Sequence, residues 1–337
     1  MKKNTQTTLA EALQLSRTTV ARALSNSPKV SESTKKAIMD KARELGYIQP
    51  SARKQTAEKT KEIVLLAHIN ALRTFFWIDL IHEMEQYLKS KKINIRLALI
   101  DIEQIKLGNP LPQSSFSGVQ CVAIIGNIPN TYYSSIRQQG LSIVSFDKPI
   151  EMTSLQPDFD VISLNNTEGI YFLTKRAIEK GCKKLVFAGD KHSSTDFYER
   201  YMGFEEALKT NNLEPIHINS LESIKSSSST VKSDPFVAEL SVIKPSDRPD
   251  AYICANDAIA ESITDFREQH PDLFGEAIFT GFDNVADSTS IDGTIDPHIK
   301  QIGKLMGFQI YNRIENPDLP HTIQRLNVTP IFNERLK

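Results

Sequence analysis

The sequence predicts a small all-α head followed by a larger α/β body of two lobes with parallel sheets. Apolar residues recur at helical spacing in residues 8–46, whereas short apolar runs alternate with amphipathic helices from residue 63 onward. Charge divides the chain in the same place. Residues 1–61 contain 13 Lys and Arg against 5 Asp and Glu, and the rest of the chain contains 27 against 36. A basic head on an acidic body indicates a polyanion-binding module attached to a domain with another task.

The head begins with two short helices joined by a tight turn. Residues 8–25 read TLAEALQLSRTTVARALS, and Ser16 is expected to cap the second helix, because its hydroxyl can accept a hydrogen bond from a free backbone N–H. Four apolar residues at helical spacing are expected to bury against each other: Leu9, Leu13, Val20 and Leu24. Arg17, Thr18 and Arg22 then lie on the outer face near the start of the second helix, where a helix-turn-helix protein presents its base-reading side chains.

A third helix is expected to complete the head. Ser31 can cap it, and it ends at Leu45-Gly46, since glycine suits the residue that follows a helix. These features predict a helix-turn-helix domain with double-stranded DNA as its partner. The competing interpretation is a three-helix domain whose basic surface is merely solvated, and the agreement between motif and charge favours DNA binding.

Composition bounds the remaining possibilities. A chain of 337 residues suggests two or three domains. No apolar run approaches the roughly 18–20 residues that span a bilayer, and no apolar stretch follows the N-terminal lysines. We therefore expect a cytoplasmic protein with no membrane partner. Cys121, Cys182 and Cys254 form no C-x-x-C pair, so we expect buried reduced thiols and no metal site.

The body is expected to begin after a polar, basic linker over residues 49–61, which separates a head of residues 1–48 from residues 62–337. A helix is predicted around 78–90. Apolar runs predict strands at Ile63–Ala67, Ile95–Ile100, Val119–Ile125, Ser142–Phe146, Val161–Leu164, Lys184–Ala188, Ala251–Cys254 and Ala277–Thr280. This number of strands is too large for one small sheet, so we expect two similar α/β lobes.

Polar residues directly after these runs are candidate ligand-binding residues, because ligands bind beyond the carboxyl ends of parallel strands. The candidates are Asn127, Asp147, Asn256 and Asp283. Arg200 is expected at a helix start, and Phe76 and Trp77 belong to an aromatic cluster directly before a helix. Carboxylates, amides, one arginine and aromatic rings suit a neutral polyhydroxy ligand. Each Asp or Asn by itself is more often a turn former or helix cap, so the prediction depends on the whole set.

Head, linker and body together resemble the lac repressor / galactose repressor (LacI–GalR) family of bacterial transcription regulators over essentially the whole chain. The stretches that carry the resemblance are Thr18–Tyr47, Glu199–Leu208 (ERYMGFEEAL), Cys254–Ala260 (CANDAIA) and Thr280–Asn284 (TGFDN), of which the first is highly specific. The resemblance implies a homodimer on a pseudo-palindromic operator and a two-lobed body like the type I periplasmic binding proteins, with a small-molecule effector between the lobes. The implied lobes are residues 62–163 plus 295–325 and residues 164–294 plus 326–337.

The resemblance also assigns residues. Arg17, Thr18 and Arg22 match base-reading positions, and Ser16 and Thr19 match positions that contact phosphate. The expected DNA-binding set is completed by Thr8, Asn26, Ser31, Ala52, Arg53 and Gln55. Positions that commonly line the effector cleft match Asn127, Asp147, Arg200, Asn256 and Asp283.

Several positions depart from the family pattern: Gln14, Glu83, the pair Asn165-Asn166 and Gln55. Gln14 stands where the turn usually has glycine, which implies some backbone strain if its φ is positive. Gln55 replaces a hinge leucine that wedges between base steps, so the DNA is expected to be kinked less. Arg53 and Lys54 can still contribute phosphate contacts.

The expected function is repression of carbohydrate-use genes, with no cofactor and no enzymatic activity. The hinge PSARK and residues 125–127 resemble the galactoside-responsive branch, which includes the regulator of evolved β-galactosidase. Galactose-containing oligosaccharides are therefore favoured over other sugars, and over nucleosides or purines. A sugar-binding transport protein is disfavoured by the basic head. An enzyme is disfavoured because G-x-x-x-x-G-K-[ST], G-x-S-x-G and H-E-x-x-H are all missing from the sequence.

Overall fold

The computed structural model describes residues 6–24, 27, 29–44, 61–69, 75–107, 111–152, 156–225, 233–285 and 290–337. The chain divides into two compact units, residues 1–60 and 61–337. The first unit is all-α and the second is α/β, as predicted. Nearly all of the expected linker, and the expected helix end at Leu45-Gly46, lie outside the described residues.

The head is built from α1 (Gln6–Leu13), α2 (Arg17–Leu24) and α3 (Glu32–Glu44). Leu9, Val20 and Ile38, one from each helix, are almost completely buried. Leu13 and Leu24 pack at the edge of this small core. The predicted apolar seam between the first two helices is therefore confirmed, and α3 closes it from the third side.

The body contains two sheets. Its strands are β1 (Lys61–His68), β2 (Ile93–Ile100), β3 (Cys121–Ile125), β4 (Ser142–Phe146), β5 (Asp160–Leu164), β6 (Leu185–Ala188), β7 (Ala251–Cys254), β8 (Ile278–Thr280), β9 (Gly293–Asp296), β10 (Ile323–Leu326) and β11 (Thr329–Phe332). The first sheet has the order β10-β5-β4-β3-β1-β2 and is parallel throughout. The second has the order β11-β9-β8-β7-β6, and only its edge strand β11 is antiparallel.

Helices cover both sheets. They are α4 (Phe75–Ser90), α5 (Ile102–Leu107), α6 (Asn130–Gln138), α7 (Asn166–Glu179), α8 (Thr195–Thr210), α9 (Asn219–Glu222), α10 (Ser233–Val242), α11 (Asp257–Gln269), α12 (Pro271–Phe274) and α13 (Ile299–Glu315). Six consecutive residues of β1 are buried, as expected for a parallel strand covered on both faces. All eight predicted strands are present, but β9, β10 and β11 were missed. Their sequences, GTID, IQRL and TPIF, interrupt the apolar residues with polar residues or proline, and β10 and β11 are half exposed.

The chain passes between the two sheets at three places, after β5, after β9 and after β10. The three connections lie side by side. The backbone N–H of Asn165 in the first donates to the Leu326 carbonyl at the third, at 2.8 Å. His298 Nε2 in the second lies 2.9 Å from the Thr329 hydroxyl beyond the third. Adjacent connections of this kind form a hinge between two lobes.

The three cysteines are buried and free, in agreement with the prediction. Burial raises the pKa of the Cys121 and Cys182 thiols to about 12, so both remain protonated at neutral pH. Among the described residues, no helix combines the length and apolar character needed to cross a membrane.

A buried ion pair anchors the last strand of the first sheet. Arg313 on α13 donates through Nε and Nη2 to the two oxygens of Asp160 on β5, at 2.7 and 2.9 Å, and both side chains are almost fully buried. The remaining donors of Arg313 bind the carbonyls of Pro317, Leu319 and Pro320. Asp160 also accepts from the backbone N–H of Thr322, directly before β10. Burial alone would raise the pKa of Asp160, but the hydrogen bonds from Arg313 and Thr322 outweigh it and lower that pKa below its ordinary value.

Replacing Arg313 should destabilise the body. We expect Arg313→Met to lower the free energy of unfolding at pH 7 by about 3–5 kcal/mol, because Asp160 keeps a buried charge without its cation. The contribution of Asp160 is present above its ordinary pKa of about 4 and is lost as the pH falls toward the lower folded value, so the deficit should shrink in acid. Urea unfolding at several pH values measures both effects. Lys175→Met, in an exposed pair with Glu179, is the control and should change stability by less than about 1 kcal/mol. An equally small effect at Arg313 would contradict the expectation.

Candidate functional site

The turn between α1 and α2 presents the candidate DNA-reading helix. Ser16 Oγ accepts a hydrogen bond from the backbone N–H of Thr19 at 3.0 Å, which confirms the predicted cap of α2. Gln14 has a φ of 55°, the left-handed conformation that glycine adopts more easily. Its N–H still bonds to the Glu11 carbonyl, at 3.2 Å, so the turn is formed with glutamine in the usual glycine position.

The predicted DNA-binding residues of the head have different exposures. Arg17, Thr18 and Arg22 are exposed on α2, while Val20 and Ala23 face the core. Among the other candidates, Thr8 and Thr19 are half-buried, Ser31 caps α3 through the Thr34 N–H at 3.2 Å, and Asn26, Ala52, Arg53 and Gln55 lie outside the described residues. The helix therefore offers its polar and basic face outward, and its free N-terminal N–H groups favour a phosphate nearby.

In the body, Asp147 follows β4 at the carboxyl edge of the first sheet. Its backbone has a φ of 61°, and its N–H donates to the Ile162 carbonyl at 2.8 Å. Within the described ranges, its carboxylate makes no hydrogen bond or ion pair. Burial raises the pKa of Asp147 well above its ordinary value, and Asp196 and Glu199 of the opposite lobe raise it further, while Arg200 opposes them. The cleft thus contains a buried carboxyl group whose protonated form is favoured by its surroundings.

Arg200 is the buried cation of the second lobe, with only 4% of its side chain exposed. It lies in the second turn of α8, which begins five residues earlier at Thr195, so the expectation of a helix start was wrong. Each of its nitrogens donates to one acceptor: Nε to Asn166 Oδ1 at 3.0 Å, Nη1 to the Ala255 carbonyl at 2.6 Å and Nη2 to Asp283 Oδ1 at 3.5 Å. The guanidinium carbon lies 3.7 Å from the centre of the Phe282 ring. Arg200 is therefore held in one orientation.

Asp283 faces Arg200 from the loop after β8, where its φ is 113°. Burial raises the pKa of Asp283 to about 8, with Arg200 lowering it and Asp257 and Asp196 raising it. At neutral pH this side chain is therefore protonated much of the time, and it can donate as well as accept a hydrogen bond.

Two glycines of the family-like motifs place these groups. A Cβ on Gly203 would collide with the Thr167 carbonyl, so glycine allows α7 and α8 to approach closely. A Cβ on Gly281 would collide with Asp257, whose carboxylate accepts from Thr294 Oγ1 at 2.7 Å and from a loop N–H at 2.8 Å. These close contacts hold the loop that carries Asp283 against the start of α11.

The other candidates line the cleft or support it. Phe76 and Trp77 lie inside the first turn of α4 instead of before it. The Trp77 ring packs edge-to-face on Phe146, the residue that precedes Asp147, with 5.6 Å between the ring centres. Asn127 donates across the cleft to the Ser193 carbonyl. Asn256 caps α11, because its Oδ1 accepts a hydrogen bond from the Ile259 N–H at 3.0 Å. For this oxygen, the alternative interpretation of Asn256 as a helix cap is therefore correct.

Several side chains of the cleft were not among the predicted residues. Asp196, four positions before Arg200 on one helix, has the spacing of a helical ion pair and lies 3.9 Å from it, so a sequence signal existed. Glu199 and Arg325 form an ion pair at 2.9 Å between the lobes, and no local pattern relates residues so distant in the chain. The Thr195 hydroxyl also crosses between the lobes, donating to the Lys148 carbonyl at 2.8 Å.

A helix-turn-helix head and a hinged, two-lobed body with a polar cleft define a DNA-binding regulator with a ligand-binding domain. Comparison with known proteins agrees. The family model for bacterial regulatory proteins of the lacI family matches residues 9–50, and that for a periplasmic binding protein-like domain matches residues 174–271. The chain is 26% identical over 288 residues to the HTH-type transcriptional repressor PurR of Mannheimia succiniciproducens, covering 83% of this chain and 82% of that one. It is 22% identical over 319 residues to the sucrose operon repressor of Lactococcus lactis subsp. lactis, covering 94% and 95%.

Solved structures share the fold. The transcriptional regulator CelR in complex with cellobiose superposes with a TM-score of 0.66 at 17% identity, covering 98% of this chain and 99% of that one. The lac repressor dimer bound to operator and an anti-inducer superposes with a TM-score of 0.63 at 15% identity, covering 98% of both chains. The chain therefore contains a helix-turn-helix domain that matches the lacI-family model and a periplasmic binding protein-like domain, and it is similar to proteins named as transcriptional repressors.

Arg22 offers a direct test of the head. Arg22→Ala should weaken binding to the specific operator by about 5- to 150-fold, because a base-reading arginine contributes roughly 1–3 kcal/mol of discrimination. Fluorescence anisotropy at fixed salt, with DNA from upstream of the gene and a scrambled duplex, measures this loss. Lys36→Ala removes the same charge from the exposed surface of α3 and should weaken both duplexes equally. Equal weakening of both duplexes by Arg22→Ala would remove Arg22 from base reading.

Proposed function

We propose that this protein represses carbohydrate-utilisation genes and that a small sugar bound between the lobes controls its operator affinity, with a galactoside as the favoured effector. It acts in the cytoplasm as a homodimer on a pseudo-palindromic operator. Ligand in the cleft favours one arrangement of the lobes, and this arrangement changes the spacing of the two heads in the dimer. Effector and operator affinities are then reciprocally coupled, by about 1–3 kcal/mol.

The proposal depends mainly on one observation: charged groups of both lobes face the same cleft. Asp147 belongs to the first lobe, whereas Arg200 and Asp283 belong to the second. The free carboxylate of Asp147 suits the hydroxyl donors of a sugar, and Asp283 with its raised pKa can donate or accept. Trp77 beside Phe146 provides an aromatic face for the apolar side of a sugar ring. One ligand that bridges these groups would stabilise a particular lobe orientation.

Relatives support two ligand classes. The sucrose operon repressor and the CelR–cellobiose complex favour a sugar. The similarity to PurR repressors keeps a purine or nucleoside as the second candidate, and the aromatic rings near Asp147 can also stack on a planar base. Support for a galactoside in particular comes from the sequence of the hinge and of residues 125–127.

The decisive experiment measures operator binding by fluorescence anisotropy at fixed salt, with DNA from upstream of the gene. The panel contains galactose, lactose, raffinose, sucrose, cellobiose, guanine and hypoxanthine. A shift caused by a galactose-containing sugar supports the full proposal. A shift by sucrose or cellobiose alone keeps a sugar effector and rejects the galactoside, and a shift by a purine alone rejects sugar control.

Asp147→Asn tests the cleft without disturbing its backbone, since asparagine tolerates positive φ well. We expect the sugar that shifts the wild type to bind about 2- to 10-fold more weakly, the loss associated with one hydrogen bond. Operator affinity without sugar should be unchanged. Thermal stability should be equal or higher, because burial disfavours the ionised form of Asp147 and asparagine does not ionise.

Asp101→Asn is the matched control for this substitution. Asp101 also follows a strand, but it is exposed and caps α5 through the Gln104 N–H at 2.8 Å, a bond that asparagine can replace. Isothermal calorimetry with each variant separates the two positions. Unchanged sugar affinity in Asp147→Asn would place the effector elsewhere.

A further inference from the structure

Four side chains form a continuous line from the first lobe to the buried arginine of the cleft. Arg325 Nη2 donates to Glu199 Oε1 at 2.9 Å, and Asn166 Nδ2 donates to Glu199 Oε2 at 3.1 Å. Arg200 Nε then donates to Asn166 Oδ1 at 3.0 Å. Arg325 lies on β10 of the first sheet, whereas the other three residues lie on α7 and α8 of the second lobe. The Arg325–Glu199 bond is therefore a link between the lobes.

The chemistry of the line makes it directional. An ionised Glu199 only accepts, so both of its oxygens select donors: the guanidinium of Arg325 and the amide NH₂ of Asn166. This choice turns the amide oxygen of Asn166 toward Arg200. Without Glu199, the amide NH₂ of Asn166 loses its acceptor, and Arg200 Nε is left as the one partner in the line that still fixes the orientation of the amide. Asn166 has 1% exposure, so water cannot easily replace the lost contact.

The two ends of this line of side chains differ in their exposure to solvent. Half of the Arg325 side chain, 51%, is exposed, while Glu199 is 13% exposed and Arg200 only 4%. Arg325 moves with the first sheet when the lobes reorient. An ion pair at the partly exposed end can break at small cost, whereas the buried end has one well-defined arrangement.

We propose that Arg325 is a positioning residue that couples lobe orientation to the effector site, acting on Arg200 through Glu199 and Asn166. The role of Arg200 in effector binding rests on the proposed function. The coupling itself is a property of the lobes and is measurable without any effector. Arg325 thereby joins the control of operator affinity through Glu199 and Asn166.

Trp77 is the only tryptophan of the chain and lies on the first-lobe side of the cleft, so its quenching by acrylamide reports cleft opening in the full-length protein. We expect Arg325→Met to raise the Stern–Volmer constant by about two-fold, the effect of losing a partly exposed ion pair on an open–closed equilibrium. Glu199→Gln should have a similar effect, and Arg325→Lys, which keeps the charge, should restore most of the wild-type value. Circular dichroism melting verifies that each variant is folded.

Two further variants separate coupling from a purely structural role. Arg96→Met removes an arginine of the same sheet that pairs within its own lobe, with Glu62 at 3.1 Å, and should leave quenching unchanged. Arg200→Lys loses the Nε bond to Asn166. Adding Arg325→Met to this variant should produce no further rise in the Stern–Volmer constant of Trp77. Additive effects of these two substitutions would overturn the proposal, because independent distant sites add. A Stern–Volmer constant equal to the wild-type value in Arg325→Met would also overturn the proposal. Neither outcome depends on whether the effector is a sugar.

Discussion

The burial of the Arg200 charge is the constraint on which the cleft depends. A guanidinium at this depth is tolerated only if its donors find acceptors in good geometry, because an unpaired buried charge is very costly. Its acceptors come from three separate segments: the start of α7, the end of β7 and the loop after β8. Those segments must therefore be placed together, and the missing side chains of Gly203 and Gly281 are what allow the close approach. The packing of the second lobe therefore also fixes the geometry of the site around Arg200.

The contacts between the lobes are of a different kind. Among the described residues, three polar contacts cross between the lobes: Asn127 to Ser193, Thr195 to Lys148 and Arg325 to Glu199. The connections between the sheets lie side by side, and the buried pair of Arg313 and Asp160 keeps the last strand attached to the first sheet. Rigid lobes joined by a narrow hinge and weak cross-contacts can reorient without unfolding. A ligand needs only a modest preference for one orientation to shift the population.

The head meets a separate requirement, which is to present a basic helix on a very small core. Leu9, Val20 and Ile38 supply that core, and the turn at Gln14 accepts some backbone strain to orient α2. Arg17, Thr18 and Arg22 are left exposed, where they can reach bases. Head and body are separate compact units.

The sequence by itself determined the class of fold, the eight apolar strands, the caps at Ser16 and Ser31, and the stretches that resemble the family. These are local features: periodicity, charge and capping act over a few residues. The tertiary structure alone decided the short strands β9 to β11, the position of Arg200 within α8, the capping role of Asn256, and the line from Arg325 through Glu199 and Asn166. Glu199 and Arg325 are 126 residues apart, and only the packing of two sheets around a hinge brings such residues together. No local pattern encodes that contact, because its energy comes from the fold as a whole.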